Sequence, residues 1–345
     1  MKESDYIYLS SKIKVLESKI LNRNDIERMI NSTDLDKAFK VLDDTDYSDN
    51  LLGLAPEDYR EALVNDMQQL HDFLQKVTPD QDLFKLMMLP KDFGNLKLLF
   101  KAELFQVEVD HIINSNAAYH SQHPKDMSFE NHINYPEAMK AYIQGQKDQT
   151  LDEDIKEVIQ VCLKNLSDKS RPDEVDALLT RHYYDLSMRL AERMGNQFIL
   201  DYFKTSIDVA NLIIFIRSRR LKLKKERLKT KLIPGGRIDI SKILRLYPDE
   251  VSGLKSSVRV NFNLEVAEAF DSFCENKKIF QLERVLENYK AGFTKNIKNK
   301  SYGPDVVFAY YLNKINASYN IGIILTGKLN QVPIEEIRKT LRESY

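Results

Sequence analysis

The chain repeats itself, and the repeat limits the fold more than any other feature. Residues 83–101 and 199–217 align without gaps: Asp92 falls on Asp208, Asn95 on Asn211 and Leu96 on Leu212, and a basic residue, Lys101 or Arg217, closes each copy. A weaker third copy surrounds Asn320, with Tyr310, Tyr311 and Leu312 before it and Ile321, Ile323, Ile324 and Leu325 after it. The three asparagines lie 116 and 109 positions apart, and one third of the 345 residues is 115. This spacing predicts three tandem modules, 1–115, 116–230 and 231–345. Each copy is expected to be a joint, at which an apolar helix ends and the asparagine begins another, with Asp92 and Asp208 placed as N-caps. Ala317 replaces the aspartate in the third copy, so that joint is capped differently. Because such side chains fix tight helix connections more readily than they bind ligands, Asp92, Asn95, Asp208, Asn211 and Asn320 are read as structural joints.

The modules are expected to be helical throughout. Leu9, Ile13, Leu16 and Ile20 recur at helical spacing on one face. Asn24 offers an N-cap with Glu27 three residues on, and Ser32, Thr33 and Asp34 precede a stripe of Leu35, Ala38, Phe39 and Leu42. Pro56 suits a first turn, and Tyr59, Leu63, Leu70, Leu74 and Val77 continue a longer amphipathic helix. Only 11 glycines and 10 prolines punctuate the chain, too few for many short strands, and no run alternates strictly. The predicted fold class is all-α.

With 43% apolar and 30% charged residues, a sizeable core and a well-solvated surface are both available, which excludes disorder and collagen. A formal charge of −1 argues against a dedicated nucleic-acid binder. Cys162 and Cys274 fit no metal or redox spacing and are expected to be buried thiols in a reducing compartment. The acidic start carries no signal peptide, and the apolar run Val209–Ile216 is far short of the roughly 20 residues that span a bilayer, so a soluble intracellular protein is expected. His111, His120, His123 and His132 cluster in sequence, but the polar residues among them read as an exposed connection rather than a metal site. Pro234-Gly235-Gly236-Arg237 lacks the spacing of a phosphate-binding loop and reads as a sharp turn. No catalytic residue, metal or cofactor is expected.

The ordered set of segments resembles the C subunit of bacterial and archaeal V/A-type rotary ATPases, whose eukaryotic counterpart is the d subunit. The segments are Tyr8–Lys19, the acidic turn Asp43-Asp44-Thr45-Asp46-Tyr47, the block from Asp92 to Phe100, Pro234–Ile238, Gly327–Asn330 and Ile334–Arg338. They cover essentially the whole chain, with Ala317 as the one departure noted. The resemblance implies a funnel-shaped body of three pseudo-symmetric modules with no catalytic site. It implies a single copy at the cytoplasmic face of the membrane, a socket between the central-shaft subunits and the ion-carrying rotor ring.

Overall neutrality conceals a separation of charge. Residues 34–66 hold ten acids against three bases. Residues 217–231 hold nine bases (Arg217, Arg219, Arg220, Lys222, Lys224, Lys225, Arg227, Lys229, Lys231) against Glu226. This basic run is expected to be one helix with Leu221, Leu228 and Leu232 along one side. Arg217, Arg219, Arg220, Lys222, Lys224, Lys225 and Arg227, with Gly235, Gly236 and Arg237 beside them, are the candidate partner-facing or membrane-facing surface. The reading from a different class is a helical scaffold whose basic helix binds RNA or acidic membrane lipid. Without interleaved aromatic residues, nucleic acid is the poorer fit.

Overall fold

The computed structural model describes residues 3–106, 135–146, 150–247, 251–297 and 299–342, and every regular element among them is helical. The fold is all-α, as the shortage of turn formers requires. Helix α1 (Ile7–Glu17) buries Leu9 and Ile13. Helix α2 (Arg23–Asn31) is capped by Asn22 rather than Asn24. The Asn22 side chain accepts from the amides of Asn24 and Asp25 at 2.7 and 3.2 Å, and Asp25 accepts from the Asn22 amide. The shorter Asp25 closes the capping box, and Glu27 pairs with Arg338 instead, at 2.7 Å. Asp34 caps α3 (Leu35–Lys40), and Pro56 opens a single 3-10 turn that leads into α4 (Tyr59–Val77).

The remaining α-helices among the described residues are α5 (Gln81–Phe105), α6 (Tyr135–Ile143), α7 (Glu153–Asn165), α8 (Pro172–Met194), α9 (Gln197–Arg220), α10 (Lys225–Lys231), α11 (Ile240–Leu246), α12 (Lys255–Asn261), α13 (Leu264–Asn276), α14 (Ile279–Ala291), α15 (Pro304–Leu329) and α16 (Ile334–Thr340). They form two compact units. The first comprises Met1–Phe84, Met194–Tyr202 and Lys255–Tyr345, and the second Lys85–Arg193 and Phe203–Leu254.

The first unit joins the two ends of the chain. Met29, Ile30, Ala38, Leu42, Tyr47 and Tyr59 share a buried cluster with Ile321, Ile324, Leu325 and Ile337. Two tyrosines anchor their hydroxyls on α15: Tyr59 to Thr326 at 2.6 Å and Tyr47 to Ser318 at 3.1 Å. The end of the acidic turn, Asp46-Tyr47, is drawn into this core, where Lys314 of α15 binds Asp46 at 2.5 Å and Asp66 of α4 at 2.9 Å, over the face of Tyr47, while Asp43 and Asp44 stay exposed.

In the second unit, Ile155, Val158, Ile159, Leu179, Leu186, Leu190, Ile207, Leu212 and Phe215 are buried. Tyr183 of α8 stands edge-on to Phe93 of α5 and Phe203 of α9. Cys162 is also buried in this unit, and burial pushes its thiol up to about 12. Cys274, in the first unit, is only half-buried, contrary to expectation.

The repeat is carried by three long helices, α5, α9 and α15, of 25, 24 and 26 residues. Asp92, Asn95, Asp208, Asn211 and Asn320 stand inside these helices, so none of them begins a helix or caps one. Pro90 is also accommodated within α5. The three helices end alike. Gln106, Lys222 and Gln331 adopt φ of 52°, 51° and 54°, at the same 116- and 109-residue offsets as the asparagines. At the two later ends the bonds also correspond: Leu223 to the Ser218 carbonyl and Lys222 to that of Arg219, then Val332 to Gly327 and Gln331 to Lys328. This is the Schellman pattern, in which a left-handed residue reverses the chain and satisfies the last carbonyls. The carbonyl that receives the longer bond belongs to a small residue. A Cβ on Gly327 would lie 2.6 Å from Ile337 of the returning helix α16, so glycine is required for that close approach.

Candidate functional site

The mid-helix asparagines hold the segment that follows each helix. Asn211 donates to the Ile233 carbonyl at 2.7 Å and accepts from the Ile233 amide at 2.8 Å. Asn320 does the same with Arg342, at 3.0 and 2.9 Å. Each clamp spans 22 residues, and both asparagines are buried. A carboxamide presents one donor and one acceptor side by side, matching the two groups of a single extended residue. The corresponding partner of Asn95 would be Ala117, which lies outside the described residues.

Asp208 adds a second hold. Its two carboxylate oxygens each accept a backbone amide, from Arg237 and Ile238, at 3.0 Å. Burial raises its pKa, and these two amides offset part of that rise. Arg237 also donates to Thr205 at 2.6 Å. Gly236 is needed here because a Cβ would lie 2.3 Å from an Asp208 oxygen, while Gly235 supplies the turn at φ 97°. The Pro-Gly-Gly turn was legible in the sequence; its docking on Asp208 was not. Ala317 leaves the third long helix without such a hook. Asp92, half-buried in α5, has no hydrogen-bond partner among the described residues, and burial pushes it up to about 7.

The basic segment is not one helix. Helix α9 stops at Arg220, the chain turns through Leu221–Lys224, and α10 begins at Lys225. Leu221 is 69% exposed whereas Leu228 and Leu232 are fully buried, so the three leucines do not share a side. The left-handed turn at Lys222 accounts for this by reversing the chain between them.

The cations divide by use. Arg219 donates to the Tyr247 carbonyl and lies 5.9 and 5.8 Å from the Phe215 and Tyr247 ring centres. Arg227 and Lys231 bind one carboxylate, Asp173 in the first turn of α8, at 2.8 and 2.7 Å. The Lys231 bond, then that of Arg227, holds Asp173 down to about 2. Tyr247 donates its hydroxyl to the Leu223 carbonyl at 2.7 Å, which fixes the turn from behind. Arg220, Lys222, Lys224, Lys225 and Lys229 are left exposed with no carboxylate partner among the described residues. Asp173 and Tyr247 were missed from sequence. Their only trace was one of several acids at a Pro-led helix start and an aromatic residue beyond the glycine turn.

His111, His120, His123 and His132 lie outside the described residues. Among the described residues no group of three or more His, Cys, Asp or Glu side chains could hold a metal ion, and no helix is long and apolar enough to cross a membrane.

Comparison with known proteins covers nearly all of the chain. The family model described as ATP synthase (C/AC39) subunit matches residues 9–340. The C subunit of the V-type sodium ATPase of Enterococcus hirae is 20% identical over 343 residues, 99% of each chain. The C subunit of the A-type ATP synthase of Methanocaldococcus jannaschii is 22% identical over 359 aligned positions, 97% of this chain and 86% of the relative. That of Desulfurococcus sp. is 25% identical over 262 residues, 71% and 66% respectively.

Proposed function

Because the chain belongs to the ATP synthase (C/AC39) subunit family, we propose that it is the central-stalk socket of a V/A-type rotary ATPase, equivalent to the d subunit of the eukaryotic enzyme. In this role one copy joins the rotating shaft to the ion-carrying rotor ring at the cytoplasmic face of the membrane. Rotation then couples ATP hydrolysis or synthesis in the head to Na⁺ or H⁺ movement, and the socket itself hydrolyses nothing. The observation that carries this reading is the family match from residue 9 to residue 340.

The repeat supports it physically. A part that passes torque must deform little under load. Three modules, near 1–115, 116–230 and 231–345, would each be built on one long helix, and in two of these helices a buried asparagine grips the chain 22 residues on. Hydrogen bonds buried away from water resist displacement because breaking them leaves both partners unsatisfied. The exposed cations Arg220, Lys222, Lys224 and Lys225 form the outward-facing surface, and Gly235, Gly236 and Arg237 shape the turn beside it.

The test is affinity purification of the tagged chain from gently solubilised native membranes, followed by mass spectrometry. Recovery of head, shaft and ring subunits in fixed ratio, resistant to salt, is the expected result. Recovery of the chain alone, or with RNA lost steeply as salt rises, would overturn the reading.

A further inference from the structure

We propose that the turn between α9 and α10 is a lipid-binding knuckle, with Arg220, Lys222, Lys224, Lys225 and Lys229 meeting anionic headgroups and Leu221 entering the interface between them. Five cations within ten residues stand exposed without a carboxylate partner among the described residues, and Glu226 is the only acid in the run. Leu221, 69% exposed, lies between the first two of them.

The support beneath is rigid. Asp173 ties Arg227 and Lys231 to α8, the Tyr247 hydroxyl holds the Leu223 carbonyl, and Arg219 is committed to the Tyr247 carbonyl. The segment therefore turns its two bound guanidiniums inward and leaves mostly ammonium groups outside.

That division favours lipid over an acidic protein. Protein interfaces enrich arginine and deplete lysine, because a planar fork suits fixed, bidentate carboxylates. A headgroup layer is a diffuse, mobile sheet of charge for which a point charge on a flexible stem suffices. Each basic residue near such a surface strengthens binding about fivefold, and a single inserted leucine adds to this without deep insertion.

The inference goes beyond the proposed rotary role, and the isolated full-length chain tests it separately. The measurement is co-sedimentation with vesicles of phosphatidylcholine alone or with about 30% phosphatidylglycerol, at low and physiological salt. Binding to the anionic vesicles only, weakening with salt, is expected. The variant Arg220→Glu/Lys222→Glu/Lys224→Glu/Lys225→Glu should lose at least about a hundredfold in affinity with an unchanged melting curve, and Leu221→Ser several-fold. The control Lys164→Glu/Lys169→Glu, exposed elsewhere in the same unit, should bind nearly as the parent does. Equal binding to both vesicle types, no binding, or equal loss in the control would overturn the proposal. So would knuckle-dependent binding to polyglutamate with none to vesicles, which would assign the surface to an acidic protein. Absence of vesicle binding while head, shaft and ring still co-purify removes the lipid assignment alone. Vesicle binding without those subunits removes the rotary role alone.

Discussion

The most consequential single side chain is Lys314, one buried cation held between two buried carboxylates. Its side chain is 3% exposed, that of Asp66 7% and that of Asp46 11%, and one oxygen of each aspartate has no hydrogen-bond partner. One ammonium neutralises one carboxylate, so the cluster carries a net negative charge in a medium that penalises it. Burial, only partly opposed by Lys314, raises both carboxyls, Asp66 to about 6. A carboxyl raised above its unfolded value of 3.8 takes up its proton in the native state first. Its stabilisation is complete below about pH 4 and is lost as the pH rises through about 6. At neutral pH, ionised Asp66 therefore costs about 2–3 kcal/mol. Asp66→Asn should raise stability at pH 7.5 by an amount of that order and flatten the rise in stability that the parent shows between pH 7 and 4. Urea unfolding of both proteins across that range measures the difference; identical curves would refute the assignment. Lys314→Met has the opposite sign, since it strands two carboxylates in the core, and should cost about 3–5 kcal/mol at neutral pH. None of this was visible in the sequence, where nothing links Asp46 and Asp66 to Lys314, which lies far along the chain.

At the scale of elements, the sequence showed which helices correspond but not what their shared residues do. The repeat was legible because three long helices keep an asparagine in the same register, and two of them also keep the aspartate three residues before it. The capping assignment failed for an instructive reason. Asp208 does accept backbone amides as an N-cap does, but from Arg237 and Ile238, and residue type alone does not tell local amides from distant ones. Asn211→Ala should leave both polar groups of Ile233 unpaired in the interior and cost about 2–4 kcal/mol, read as a shift in the urea midpoint with unchanged slope. The break in the basic run was hidden because no glycine or proline marks it; the left-handed position falls on Lys222. An L-residue in that conformation is disfavoured by about 1–2 kcal/mol, which glycine avoids at the expense of a more flexible unfolded chain. Lys222→Gly should therefore be neutral or stabilising by up to about 1 kcal/mol. Lys229→Gly, inside α10, should destabilise by about 1 kcal/mol. Thermal melts of the two variants separate a turn from a continuous helix, and equal losses would mean that α9 runs on through Leu221.

For the whole molecule, the chain order and the cores do not coincide. The first unit takes its residues from both ends of the sequence, so α2, α3 and α4 are buried only when α15 and α16 arrive from the far end of the chain. Such non-local cores form late and cooperatively, because the long loop must close before any contact rewards it. Helix α15 is the element on which this depends. It supplies Ile321, Ile324 and Leu325 to the shared cluster, Lys314 to the two aspartates, and Ser318 and Thr326 to the two tyrosines. A cavity at its centre should loosen both chain ends together. Ile321→Ala, fully buried in the parent, should cost about 2–5 kcal/mol. Hydrogen exchange read by mass spectrometry should then show protection falling in parallel across 23–77 and 304–340. Amides of α7, α8 and the later part of α9 should change least, because the cavity opens in a core to which they contribute nothing. Loss confined to α15 would mean that the N-terminal helices hold themselves together without it. Loss spread evenly over all helices would mean that the two units open as a single cooperative body.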